Sequence, residues 1–437
     1  MIKFACRAPP ENAVSVTTSA RYLLALDNNK LLVGYLFPGR WSMFKSTDSI
    51  KDNFGITVDK HLITVKGREL PPPTIGYLKG NSMERVTLEN GGWLMKGVQV
   101  CQPGRRIANW TFLVIGKARP PVDPGDIKNA VMDFAKFLNN KTGIPINTQP
   151  APANGYQTTS TGEEELQNAF RAISKHKPQP EFVLVLLPAK EATTYHVVKK
   201  LGDVEFGVAT VCVQQEMLTK KQGQAGYFAN VGLKVNLKFG GVNHKIRDDT
   251  GLVERTMFVG YDVTHPTNLP KGAGDNAPSL VGLVASIDSS LAQWPAVAWE
   301  NKSRVEQVGG KPDDGQFIDH FKERLKLWRH HNKRLPENIV IFRDGVSEGQ
   351  FNMVLEKELP NIRQACRETY PKGQDAQPRI SFIVSVKRHQ TRFYPTDRDH
   401  IHPRSKSPKE GTIVDRGVTN VRYWDFFLQA HASLQGE

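Results

Sequence analysis

A chain of 437 residues exceeds the size at which one hydrophobic core keeps growing, so two or more domains are expected. Lys and Arg outnumber Asp and Glu by 58 to 44, giving a formal net charge of +14 and a pI near 9.5, a balance that favours a polyanionic partner, nucleic acid first. Cys6, Cys101, Cys212 and Cys366 stand singly with no CxxC pair, which argues against a zinc site or a disulfide framework, and no apolar run approaches the roughly 18 to 20 residues that span a bilayer.

Residues 1 to about 105 read as a connecting segment: a helical stretch near Arg21 to Asp27, short strands such as HLITV, and a rigid PPP at 71–73. From Trp110 the pattern changes to short apolar strands alternating with amphipathic helices. TFLVIG is followed by a helix over DIKNAVMDFAKFLNNKTG that Gly143 can cap, then by a helix over EEELQNAFRAISKHK and the strand FVLVLLP. This order predicts βαβ units and a largely parallel sheet, continued by VATVCVQ and a helix around FANVGLKVNLK that stops at Gly240 and Gly241. A second block opens at TMFVGYDVTHP. It adds the strands SLVGLVASID and AVAWE, a helix over GQFIDHFKERLKLWRHH, the strand IVIFRD, a helix over QFNMVLEKEL and the strand ISFIVSVK, which suits a mixed α/β sheet.

Two constellations carry chemistry. Tyr195 and Lys199 lie four residues apart on one predicted helix, and Lys234 and Lys238 do so on another, so each pair shares a face. Like charges at that spacing cost a few tenths of a kcal/mol unless an anion lies between them, and a phosphate fits; a solvated basic face is the plain alternative. Tyr195 adds a phenolic donor and a ring on which a base can stack. The second constellation is Asp262 after MFVGY and Asp344 after IVIFR, both at the tips of apolar strands. Converging strand-borne carboxylates can hold Mg²⁺, which wants oxygen ligands and keeps several waters; a turn or helix-start aspartate is the alternative for Asp344. His265, just before Pro266, reads as a structural hydrogen-bonding residue. Lys387, Arg388 and Arg392 in VKRHQTRF offer a track for a sugar-phosphate backbone or form an exposed basic turn. A nucleotide-binding α/β enzyme is disfavoured, because neither a phosphate-binding GxGxxG nor a Walker sequence occurs.

With YHVVKKLGD, CVQ, LKVNLKFGGVN, YDVTHP, FRDGVSEGQF and KRHQTRF in one chain, the sequence resembles the Argonaute family, specifically its eukaryotic branch. The resemblance covers nearly the whole chain. It implies an α/β protein with an interdomain linker over 1–105, a Rossmann-like MID domain over 106–250 and an RNase H-like PIWI domain over 251–437 that stops short of its C-terminus. The family's N and PAZ regions have no counterpart, so a fragment is expected. The resemblance assigns the 5′ phosphate of a guide RNA to Tyr195, Lys199, Lys234 and Lys238. Where the family often has Gln, this chain has Val211, which throws weight onto Thr210 and Gln214.

For the acidic tetrad that binds two Mg²⁺ (or Mn²⁺) in slicing members, the resemblance points to Asp262, Asp344 and Glu306, with Glu300 a rival for the last. The fourth ligand is expected past Glu437, and His431 precedes its place. Lys387, Arg388 and Arg392 become guide-backbone contacts. The implied function is guide-directed cleavage of target RNA in RNA silencing, in the cytoplasm or nucleus, with silencing-complex proteins as further partners and no membrane. The alternative is a guide-binding scaffold that silences by recruitment.

Overall fold

The computed structural model describes residues 61–88, 91–247, 251–266, 277–309, 315–372, 377–387, 389, 391–420 and 424–431, together with Val14. The helix expected near Arg21 to Asp27 lies outside the described residues. The chain divides into two compact units, one formed by residues 1–73, 87–93 and 390–437, the other by 74–86 and 94–389. In the first unit, Arg68–Glu69 pairs antiparallel with Thr412–Val414, which pairs with Phe427–Leu428. HLITV at 61–65 is irregular rather than a strand; Leu62 and Ile63 are exposed, so this apolar stretch has no sheet face to bury.

The second unit carries the two sheets expected from the alternating pattern. In the first, β1 (Trp110–Ile115), β2 (Tyr156–Thr158), β3 (Phe182–Leu187) and β4 (Ala209–Gln214) run parallel in the order β2-β1-β3-β4. Every residue of β1 and β3 is buried, as central strands covered on both faces require. One face packs on α1 (Pro124–Phe137), the short α4 (Gln215–Thr219) and α5 (Gln224–Lys238) through Phe134, Leu218, Phe228 and Val235; the other packs on α2 (Glu163–Lys175) and α3 (Ala192–Lys199) through Phe170 and Val198. The Asp123 carboxylate accepts from the Gly125 and Asp126 amides to start α1. Its far end widens into a π turn, Leu138–Thr142, which stops at Gly143 with φ 75°, a conformation that favours glycine.

The second sheet has the order β7-β6-β5-β8-β9, built from β5 (Thr256–Thr264), β6 (Ser279–Ala285), β7 (Ala296–Asn301), β8 (Asn338–Asp344) and β9 (Arg379–Ser385). β6 runs antiparallel to both β7 and β5, whereas β8 lies parallel to both β5 and β9. Met257, Val259, Ile339 and Ile341 alternate onto the face covered by α6 (Gln316–Asn332) and α7 (Leu359–Thr369), packing on Phe317, Phe321, Trp328 and Ile362. The helix expected over QFNMVLEKEL is longer: Phe351–Met353 passes through a π-helical stretch, Val354–Glu358, directly into α7. That wide turn delivers Glu358 into the interior, fully buried.

Candidate guide-binding and metal-binding sites

Strand alternation explains the first site. Val211 and Val213 of β4 point into the core shared with α1 and α5, so Val211, where a polar contact was expected to be missing, is a packing residue. Thr210 and Cys212 take the opposite face. There the Lys199 ammonium donates to the Thr210 carbonyl at 2.7 Å and to its Oγ1 at 2.8 Å, and sits 5.7 Å from the centre of the Tyr195 ring. Thr210 is fully buried, Tyr195 is 42 % exposed, and Lys199, at the junction of α3 with the π turn Lys200–Glu205, lies between these extremes. Gln214 ends β4, where its backbone hydrogen-bonds Tyr227.

Burial holds the Lys199 pKa below the usual lysine value, and Lys238 and Lys234 push it further down. Asp203 opposes them. Cys212, its own pKa pushed up to about 11 by burial, opposes them more strongly still. Lys234 and Lys238 are exposed, one turn apart on α5, and among the described residues neither ammonium has a hydrogen-bond or ion-pair partner. Three ammonium groups beside a stacking ring form a cationic pocket suited to a terminal phosphate. Helical spacing made this cluster legible; the role of Thr210 in aiming Lys199 was not.

The second site follows from register. β5 and β8 pair Tyr261 with Arg343, so the next residues, Asp262 and Asp344, are neighbours on the opposite face. The β8 tip turns at Gly345, φ 80°, where an added Cβ would lie 3.7 Å from Asp262 Oδ1. Asp262 Oδ1 accepts from the Val263 amide at 2.8 Å, and Lys387 places its ammonium 2.6 Å from Asp344 Oδ2. Two partly exposed carboxylates on adjacent strand ends, one already drawing a cation, have the chemistry to hold Mg²⁺ or Mn²⁺ together with water. Among the described residues no group of three or more His, Cys, Asp or Glu is placed to hold a metal.

Glu306 is tied to the β8 tip through Arg343. His265 bridges the Ser279 hydroxyl and Glu306 Oε2, each at 2.9 Å, while Arg343 Nη2 reaches Glu306 Oε1 at 2.9 Å and its carbonyl at 2.8 Å. His265 therefore makes the hydrogen bonds expected of it. Glu300, the rival, stands exposed on β7 opposite Leu280. Lys387 is exposed, Arg388 lies outside the described residues, and Arg392, in the other unit, donates to its neighbour's carbonyl, Thr391, at 2.9 Å. His431 has its carbonyl bound by Gln429 Nε2. Sequence reasoning missed the buried Arg343, Glu358 and Tyr261; the only signal was a charged residue inside an apolar strand.

Comparison with known proteins decides the family. The Piwi domain family model matches residues 182–437, more than half of the chain, and the Argonaute linker 2 domain model matches 41–77. The chain belongs to the Argonaute family. It is 28% identical to protein argonaute-2 of Drosophila melanogaster over 395 residues, which is 89% of this chain but 30% of that protein, so the chain spans less than a third of that curated relative. The N. crassa QDE-2 AGO MID-PIWI domains share 47% identity at a TM-score of 0.57, over 66% of this Argonaute chain and 76% of that one. Kluyveromyces polysporus Argonaute, solved with a guide RNA, shares 25% identity at a TM-score of 0.68, over 85% of this chain and 46% of that one. The mixed α/β fold with a parallel MID-type sheet and an RNase H-like PIWI sheet agrees with these neighbours.

Proposed function

We propose that this Argonaute chain binds the 5′-phosphorylated end of a small guide RNA and supports guide-directed, Mg²⁺-dependent cleavage of target RNA in RNA silencing. The observation that carries the reading is Lys199, held by Thr210 beside the Tyr195 ring, with Lys234 and Lys238 near enough to act on it. Tyr195 would stack on the first base while the three lysines take the phosphate, with Thr210 fixing Lys199 and Gln214 at the rim. The guide would then supply sequence specificity by pairing, leaving the protein to hold its end and backbone.

Asp262 and Asp344 would hold Mg²⁺ or Mn²⁺, with Glu306 beside them, and the bound cation would supply an activated water and a stabilised leaving oxygen. His265 and Arg343 anchor Glu306 from behind. Lys387 can serve the guide backbone once its ammonium leaves Asp344 or shares it with a phosphate, and Arg388 and, in the other unit, Arg392 are each proposed to contact the backbone as well. A non-cleaving scaffold that silences through recruited proteins, in the cytoplasm or nucleus, is the second reading.

Affinity measured for one RNA bearing either a 5′ phosphate or a 5′ hydroxyl tests the pocket. The phosphate should strengthen binding by roughly tenfold or more, the scale of charge-assisted hydrogen bonds. Equal affinities overturn it.

A further inference from the structure

Glu358 has no part in the guide pocket or the carboxylate pair, yet it is the most saturated acidic group of the second sheet. Fully buried, its carboxylate accepts from the Tyr261 hydroxyl at 2.6 Å, the Val308 amide at 2.9 Å, Arg343 Nε at 3.1 Å and Arg343 Nη2 at 3.3 Å. Burial, reinforced by the adjacent carboxylate, pushes the Tyr261 phenol well above its ordinary pKa, so it remains a donor. Arg343 is itself fully buried, with its guanidinium carbon 5.1 Å from the centre of the Tyr261 ring.

A guanidinium is a rigid plane with five donors in fixed directions. Once Glu358 takes Nε and one side of Nη2, the plane is set, and the remaining donors are aimed: Nη2 at Glu306 and Nη1 at the Asp344 carbonyl, 2.8 Å away. The second Glu358 oxygen meanwhile ties down Val308, two residues beyond Glu306. One carboxylate thus fixes both the residue that grips Glu306 and the segment that bears it.

We propose that Glu358, assisted by Tyr261, is the positioning residue for Glu306, holding segment 302–309 against the tip of β8. The proposal rests on the reading of Glu306 as a carboxylate of the cleavage site. It makes the π turn Val354–Glu358 functional, because a regular helical turn would bring the residue in at a different rotation.

The test uses the full chain with Glu358→Gln, Tyr261→Phe, Glu306→Ala and the Glu306→Ala/Glu358→Gln double variant. Glu358→Gln should raise amide hydrogen exchange across 302–309 about tenfold or more while β5 and β8 stay protected. With 5′-phosphorylated guide, complementary target RNA and Mg²⁺, it should slow single-turnover cleavage about tenfold or more and leave guide affinity unchanged. The double variant should be no slower than Glu306→Ala alone, and Tyr261→Phe should shift both readouts the same way by less.

Unchanged exchange at 302–309 overturns the proposal, as do single effects that multiply in the double variant, which marks Glu358 as a plain fold stabiliser. If the wild-type chain does not cleave, the reading of Glu306 fails and the exchange arm still decides whether Glu358 holds its segment. Should Glu358→Gln not fold, Tyr261→Phe carries the same two readouts, because it removes one hydrogen bond and leaves the ion pair whole.

Discussion

The two sheets of the larger unit handle charge in opposite ways. At the parallel sheet, Lys199, Lys234 and Lys238 are gathered, and burial with the two neighbouring ammonium groups lowers the Lys199 pKa. At the mixed sheet three acidic groups face cations supplied by the fold itself: Asp344 faces Lys387, and Glu306 and Glu358 share Arg343. The first is the site proposed to take an outside anion, which would relieve that repulsion on binding. The second is partly neutralised from within, so the arrangement around Arg343 exists before any ligand arrives, at the cost of burying charge.

Substitutions that unbalance each site should therefore fail differently. Asp344→Asn should bring target cleavage down to background while guide affinity stays unchanged; persistent cleavage would remove Asp344 from the proposed metal site. Arg343→Met should be the most destabilising change, roughly 3–5 kcal/mol by denaturant unfolding, because it leaves the Glu358 carboxylate buried without its cation. Lys199→Met should instead leave stability nearly intact, or raise it by relieving repulsion, yet cost about 1.5–3 kcal/mol of guide affinity and erase the preference for a 5′ phosphate.

The pH dependence sharpens the same contrast. Phosphate binding needs protonated Lys199, so it is fully present below that residue's depressed pKa and lost as pH rises through it, earlier than for an exposed lysine. On the acid side it strengthens as the phosphate loses its second proton near about pH 6. The smallest effect belongs to a scaffold carboxylate: Glu165 accepts from the Ser160 hydroxyl and the Thr159 amide, each at 2.5 Å, and from the Ser160 amide at 3.0 Å, which holds its pKa at about 2. A folded pKa below the unfolded one adds stability above the unfolded value that fades as pH falls toward about 2. Glu165→Gln should flatten that part of the acid-unfolding curve and change neither guide affinity nor cleavage.

Much of this architecture is written locally. Continuous apolar runs at Trp110–Ile115 and Phe182–Leu187 can only be strands buried on both faces, and the Asp123 and Gly143 caps bound a helix whose apolar side is evident. Spacing of four residues placed Tyr195 beside Lys199 and Lys234 beside Lys238, because helical geometry fixes which side chains share a face. Asp262 and Asp344 declared themselves as carboxylates ending apolar strands.

What the linear order could not contain was adjacency across the fold. That Lys234 and Lys238 of α5 come near Lys199 of α3, and that β8 lies directly beside β5 and so makes the two aspartates neighbours, are consequences of the tertiary arrangement. Arg343 read in sequence as one charge closing an apolar strand. Only tertiary packing, which left a fully buried guanidinium the choice of a partnered carboxylate or an uncompensated charge, brought Glu358 from a distant helix and Glu306 from a loop to meet it.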